Sequence, residues 1–249
     1  MKEMLLSLDL EWPLIIPAIM IVGYLIYAWW ENATRTAEAD RESRLPIYND
    51  TMLWLWGLAA ACMFGWLISG RTLVELGLTA TEPGWRSWAA WGAVGLGSAY
   101  MAYSIIAPAV STRLRQQIRT QLNALDIDFM RPRTTAEHRR FKLLSVTAGI
   151  TEEIIFRGFL ISVLALYMPL VAAALTAIVL FGCGHFYQGV AGVIRTALIG
   201  GFLTVVYLTG GSLWPAIILH ILMDLAAGAQ FQIINAFDEK DSVADGAEV

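Results

Sequence analysis

The sequence predicts an all-α fold: a polytopic transmembrane helical bundle of about seven spans (six to eight), with the N-terminus outside and the C-terminus cytoplasmic. Three observations predict it. Of the 249 residues, 57% are hydrophobic and 15% charged, with mean hydropathy +0.58, against about 25% charged and roughly 45–50% apolar in an ordinary soluble domain. The apolar residues gather into runs of the length a bilayer needs, about 20 per helix. Lys and Arg fall unevenly on the loops between those runs. The same composition excludes disorder over most of the chain, which needs low hydrophobicity and high charge. The runs are too long, and too little alternating, for an outer-membrane barrel. Two cysteines, Cys62 and Cys183, sit in apolar runs and read as small buried thiols rather than a disulfide scaffold. A net charge of −4 argues against a nucleic-acid partner.

The spans follow in order. The first, Pro13–Trp30, reads as a retained anchor: Glu3, Asp9 and Glu11 precede it with only Lys2 as a base, and the small-residue triplet Ala37-Glu38-Ala39 lies well past the apolar core. The second is Met52–Ser69. The third, Trp88–Val110, is weakened by Gly92, Gly95, Gly97 and Pro108, so two shorter pieces are an alternative. The fourth runs from Leu143 to Tyr167, where Pro169 breaks the chain. The fifth continues to Phe186, the sixth covers Val190–Leu208 and the seventh Leu213–Ile234.

Orientation comes from the loop charges. Segment 111–142 carries Arg113, Arg115, Arg119, Arg131, Arg133, Arg139, Arg140 and Lys142, and segment 31–51 carries Arg35, Arg41 and Arg44. The loops of the other side hold only Arg71 and Arg86, plus Lys2. The two basic loops are therefore expected in the cytoplasm. Within the longer one, Leu114, Ile118 and Leu122 recur at helical spacing among Arg and Gln, the pattern of a basic amphipathic helix on an anionic leaflet. A solvated loop, basic for topological reasons alone, is the competing reading. The chain divides into N-terminal helices with the basic connector (1–141), a helical core (142–237) and an acidic tail expected to be disordered (238–249).

Ionisable groups inside spans are costly and mark function by default. The first three spans contain almost none, whereas the last four contain Glu152, Glu153, Arg157, His185, Arg195, His220 and Asp224. Glu153 and Arg157 are four apart with the acid first, the favourable order for an ion pair. His220 and Asp224 share that spacing, as do Phe181 and His185. Three helices can thus aim acids and imidazoles at one buried point. Each element alone also has a plainer reading: packing for Glu153–Arg157 and Phe181, an interfacial position for His185, a structural hydrogen bond for His220–Asp224, and a snorkelling side chain for Arg195. Glu75 and Glu82 read as solvated loop residues.

Thr151-Glu152-Glu153-Ile154-Ile155-Phe156-Arg157 resembles the EExxxR motif of the CPBP family, the CAAX protease and bacteriocin-processing (Abi) membrane proteins. Phe181-Gly182-Cys183-Gly184-His185 resembles its FxxxH motif, and His220-Ile221-Leu222-Met223-Asp224 its HxxxN/D motif, in the same order. The resemblance covers Lys142–Ala227, about a third of the chain. It implies a glutamate-type intramembrane endopeptidase of a membrane-associated protein or peptide. It implies that Glu152 and His185 activate a water, that His220 and Asp224 stabilise the oxyanion, and that Glu153 and Arg157 orient the site. An ionised Asp224 would repel an oxyanion, so it serves as a donor only when protonated. The preferred alternative is that it holds His220 in tautomer and charge, as a carboxylate behind an imidazole.

A water-based peptidase without cofactor is the expectation, in the plasma (inner) membrane of a prokaryote. Zinc held by His185, His220, Glu152 and Asp224 is the sharper rival, since two His and a carboxylate can bind it. Cys183 is the nearest nucleophile, but helical geometry points it away from His185. A non-enzymatic immunity or scaffold protein, and a proton-coupled transporter, remain as other classes.

Overall fold

The computed structural model describes residues 11–34, 43–123 and 127–246, with side chains as far as Phe237, and contains no strand among them. Lys2, Arg35, Arg41, the Ala37–Ala39 triplet and the last three residues lie outside the described residues. Three long helices open the chain: α1 (Trp12–Thr34), α2 (Leu45–Ile68) and α3 (Trp85–Val110). Helix α4 (Thr112–Asn123) covers the basic connector. Helix α5 (Thr135–Glu152) runs without a break into a π-helical segment, Glu153–Leu160, and then α6 (Ile161–Leu164). Three more follow: α7 (Leu170–Cys183), α8 (Gly189–Gly210) and α9 (Trp214–Gly246).

Five helices are long and apolar enough to cross a membrane: α1, α2, α3, α8 with the turn before it, and α9 as far as Phe237. The chain is an integral multi-pass membrane protein of helices. The two remaining expected spans are also helical. Helix α7 has only 14 residues, and the rod from Thr135 to Leu164 carries Glu152, Glu153 and Arg157 along its length. Helix α3 is one piece, so its three central glycines do not divide it, and Pro108 sits where the helix ends. Cys62 is buried as expected, but Cys183 is exposed. It is the last residue of α7. Helix α9 continues to Gly246, into the stretch expected as a disordered tail. No Gly or Pro interrupts residues 229–245. Trp12, Trp85 and Trp88 stand exposed at helix starts and Trp29 and Trp30 near a helix end, the places where amphipathic rings meet headgroups.

The rod containing α5 lies between α2 and α9; α3 packs on α9 and α8; α7 packs on α8. Between membrane helices, small residues set how closely backbones approach. Gly149 of α5 faces Ile221 of α9, and a Cβ there would sit 2.9 Å from the Ile221 backbone nitrogen. This contact brings the acidic end of α5 against the His220 turn. Gly149→Ala is expected to cost about 1–3 kcal/mol, because backbone cannot step aside as a side chain does. A thermal melt of the purified variant checks it; an unchanged midpoint contradicts the close packing.

The start of α5 is fixed by a capping box. The Glu137 amide donates to the Thr134 hydroxyl, and the Glu137 carboxylate accepts from the Thr134 amide at 3.0 Å. The same carboxylate accepts from the backbone amides of Arg133 (2.8 Å) and Arg44 (3.0 Å), so it ties the connector to the foot of α2. Arg131 reaches Asn235 of α9, Arg133 pairs with Asp128, and the Tyr48 hydroxyl donates to the Met130 carbonyl. Burial pushes the Glu137 carboxyl up, but the three amide donors outweigh it and hold it below its ordinary value. A lowered folded-state pKa means that its stabilisation is complete above the unfolded value, near 4.5, and fades as pH falls through the folded one. Protease nicking of segment 111–142 should therefore be constant from neutral pH down to about 5 and rise below that. Glu137→Ala should show the raised nicking at every pH. A wild-type profile that is flat to pH 3 contradicts this account.

Candidate active site

All eight residues of the π-helical segment are buried. Such segments are rare and frequent at functional sites, and nothing in the apolar pattern of 153–160 announces one. Glu153 is wholly buried, and its Oε1 takes two partners: Arg157 Nη1 at 2.8 Å and His220 Nδ1 at 2.8 Å. Arg157 is also buried. Its Nη2 donates to the Gly200 carbonyl at 3.1 Å, and its guanidinium lies 4.1 Å over the Phe181 ring. Gly200 is needed there: a Cβ would stand 2.7 Å from Phe181 and 3.1 Å from Arg157 Nη2. One carboxylate thus joins the rod, α8 and α9 through charge-assisted hydrogen bonds.

His220 has a cavity on its other side. Its Nε2 lies 3.8 Å from Glu152 Oε2 and 3.9 Å from Asp224 Oδ2, both beyond hydrogen-bond reach. The carboxylate behind the imidazole is therefore Glu153, not Asp224 as the sequence suggested. The reason is register: the rod delivers Glu153 to Nδ1, while Asp224, one turn along α9, lies on the Nε2 side. Glu152 Oε2 is buried and has no hydrogen-bond partner among the described residues.

His185 closes the site from the end of α7. A carbonyl oxygen only accepts, so the 2.9 Å contact with Phe181 O places the proton on Nδ1. That leaves Nε2 of a neutral ring with its lone pair. Glu152, His185, His220 and Asp224 together line a cavity of about 230 Å³. Glu152 and His185 also line a neighbouring cavity of about 250 Å³ between α1, α2 and the turn after α7. Phe181, expected as plain packing, is the ring all these groups lean on: it meets Phe156, His185, His220 and Arg157. Cys183 lines neither cavity.

Three residues beside the site belong to none of the sequence motifs: Tyr187, Phe129 and Met130. Tyr187 lines both cavities, with its ring 5.7 Å from His185 and 5.7 Å from Phe129. From the connector, Met130 lines both cavities and Phe129 lines the neighbouring one. The only sequence signal was the aromatic run Phe186-Tyr187 beside the histidine. Among the described residues no group of three or more His, Cys, Asp or Glu is arranged to hold a metal ion.

Residues 139–226 match the family model of type II CAAX prenyl endopeptidase Rce1-like proteins. The match is to the family that the three motifs resemble, and all six charged or imidazole groups named above fall inside it. No curated protein and no solved structure matches the chain.

Proposed function

We propose that this Rce1-like chain is an intramembrane endopeptidase that hydrolyses a peptide bond of a membrane-associated protein or peptide with a water activated by Glu152 and His185. One observation carries the reading: a carboxylate of α5 with a free oxygen, an imidazole from the turn after α7 and an imidazole of α9 line one cavity inside a membrane bundle. The match to a protease family supports a peptidase.

The roles follow from the hydrogen bonds. Peptide hydrolysis needs a base for water, a donor for the tetrahedral oxyanion and a proton for the leaving amine. Glu153 Oε2 is also without a partner among the described residues, but only Glu152 lines the cavity, so Glu152 serves as base; a positioned base is worth about 10²–10⁴ in rate. His185, with its proton held at Nδ1, presents Nε2 to the same water. Glu153 accepts from His220 Nδ1, so the imidazole keeps a fixed tautomer, and in its protonated form Nε2–H donates to the oxyanion. One such donor is worth roughly 2.7–4 kcal/mol of barrier. Arg157 keeps Glu153 in place and touches no reacting atom.

Asp224 then has no positioning duty. Asp224→Asn is expected to keep cleavage within about tenfold, less than about 1.4 kcal/mol of barrier. Glu153→Gln should lose far more. A severe loss in Asp224→Asn with a mild one in Glu153→Gln would reverse the two roles. We place the basic connector in the cytoplasm. Ile127 and Met130 of that connector line the cavity, so the substrate is taken to arrive from the cytoplasmic side.

The reading is tested by comparing membrane peptides of cells with and without the gene, then cleaving the differing peptide with purified chain in proteoliposomes. Cleavage at one bond, unaffected by chelator, supports it. Loss on chelation that zinc restores gives the metal-dependent version, and no differing peptide overturns the protease reading.

A further inference from the structure

A third, much larger hollow lies beside the catalytic cavity. It is an open groove of about 1040 Å³ between α3, α8 and α9, with α4 across one end. This is at the top of the range for small-molecule sites, about 300–1,000 Å³. Leu96 and Tyr103 of α3, Leu114 and Ile118 of α4, Leu198 of α8 and Ala226 of α9 line it, so it suits hydrocarbon. Leu96 and Leu198 are among the more exposed apolar side chains of the chain, so the groove opens sideways, to lipid.

One cation belongs to the groove. Arg195 of α8 lines it and also lines the catalytic cavity, together with Ile199, Met223 and Ala227. Among the described residues Arg195 makes no hydrogen bond or ion pair. It stands within the first two turns of α8. Helix α4 adds Arg113, Arg115 and Arg119. Arg115 is spent on holding α4, donating to Pro108 O at 3.1 Å and stacking on Phe237. An apolar trough with an uncompensated guanidinium at the headgroup end matches a molecule with acyl chains and a negative head.

We infer that the groove is a site for an anionic phospholipid, its chains along α3 and α9 and its phosphate on Arg195. Guanidinium is suited to phosphate because its forked donors can bind two oxygens at once. The lipid then forms the outer wall of the catalytic cavity, because Ile199 and Met223 have groove on one side and cavity on the other. The substrate's own apolar segment is the rival occupant. Arg195 favours the lipid, since an apolar segment alone leaves it unmatched in the low-dielectric wall.

Lipid retention reads this without any reference to proteolysis. The full chain, purified in mild detergent, is mixed with equal phosphatidylglycerol and phosphatidylcholine, and the lipids retained are counted by native mass spectrometry. Wild type should hold phosphatidylglycerol over phosphatidylcholine by about fivefold, the size of one basic side chain against an anionic lipid. Arg195→Gln should erase that preference, and Ala191→Trp, which fills the groove, should lower retention of both. Arg139→Gln, an exposed arginine at the basic start of α5, should leave the preference intact. Equal retention of the two lipids by wild type, as expected of a groove reserved for substrate, overturns the proposal. So does a preference that survives Arg195→Gln or disappears equally in Arg139→Gln.

Discussion

Glu152→Gln is expected to abolish proteolysis, slowing cleavage by about 10²–10⁴-fold or more while leaving the fold intact. The two parts of this expectation have separate causes. Glu152 Oε2 has no hydrogen-bond partner among the described residues, and the side chain keeps 13% of its surface exposed. Little is lost from the packing when an amide of equal size replaces the carboxylate. The amide cannot take a proton from water, so the chemical step loses its base. Thermal melting beside cleavage in proteoliposomes separates the two effects. Full activity in a correctly folded Glu152→Gln sample would reject the assigned base. An inactive variant that also melts early would indicate a structural role instead.

Arg157→Met gives the largest stability effect. Arg157 is 1% exposed and holds Glu153 Oε1, the Gly200 carbonyl and the face of Phe181. Methionine fills part of the volume but leaves a buried carboxylate whose one remaining partner among the described residues is His220. Breaking a buried ion pair on one side costs about 3–5 kcal/mol. Replacing both members is milder, because no uncompensated charge is left. The double variant Glu153→Gln/Arg157→Met should therefore be more stable than Arg157→Met alone. Denaturation of the purified chains measures the order, and a double variant that is worse than the single contradicts a charge-based account.

The long apolar runs gave away the helices, because in hydrocarbon every backbone group must be satisfied within its own helix. Trp12–Thr34, Trp85–Val110 and Gly189–Gly210 all lie within a few residues of the runs read from sequence. The i, i+4 spacing likewise anticipated the Glu153–Arg157 contact. What stayed hidden depended on partners distant in the chain. Spacing within α9 pointed to Asp224 as the partner of His220, since no local pattern registers α9 against the rod; the structure gives that place to Glu153. The π-helical turn leaves no mark in an apolar pattern that suits either helix type. Tyr187 and Phe129 meet only through folding, 58 residues apart. Glu137 gathers amides from residues 44, 133 and 134, a set that no local spacing brings together.

A high-resolution experimental map of the reconstituted chain, read at the cavity between α5, α7 and α9, tests the core of this account. An ordered water is expected within about 3.2 Å of both a Glu152 oxygen and His185 Nε2. His220 Nε2 is expected to face that water. Glu152 and His185 turned to opposite sides of the bundle, or a dry space between them, would contradict it.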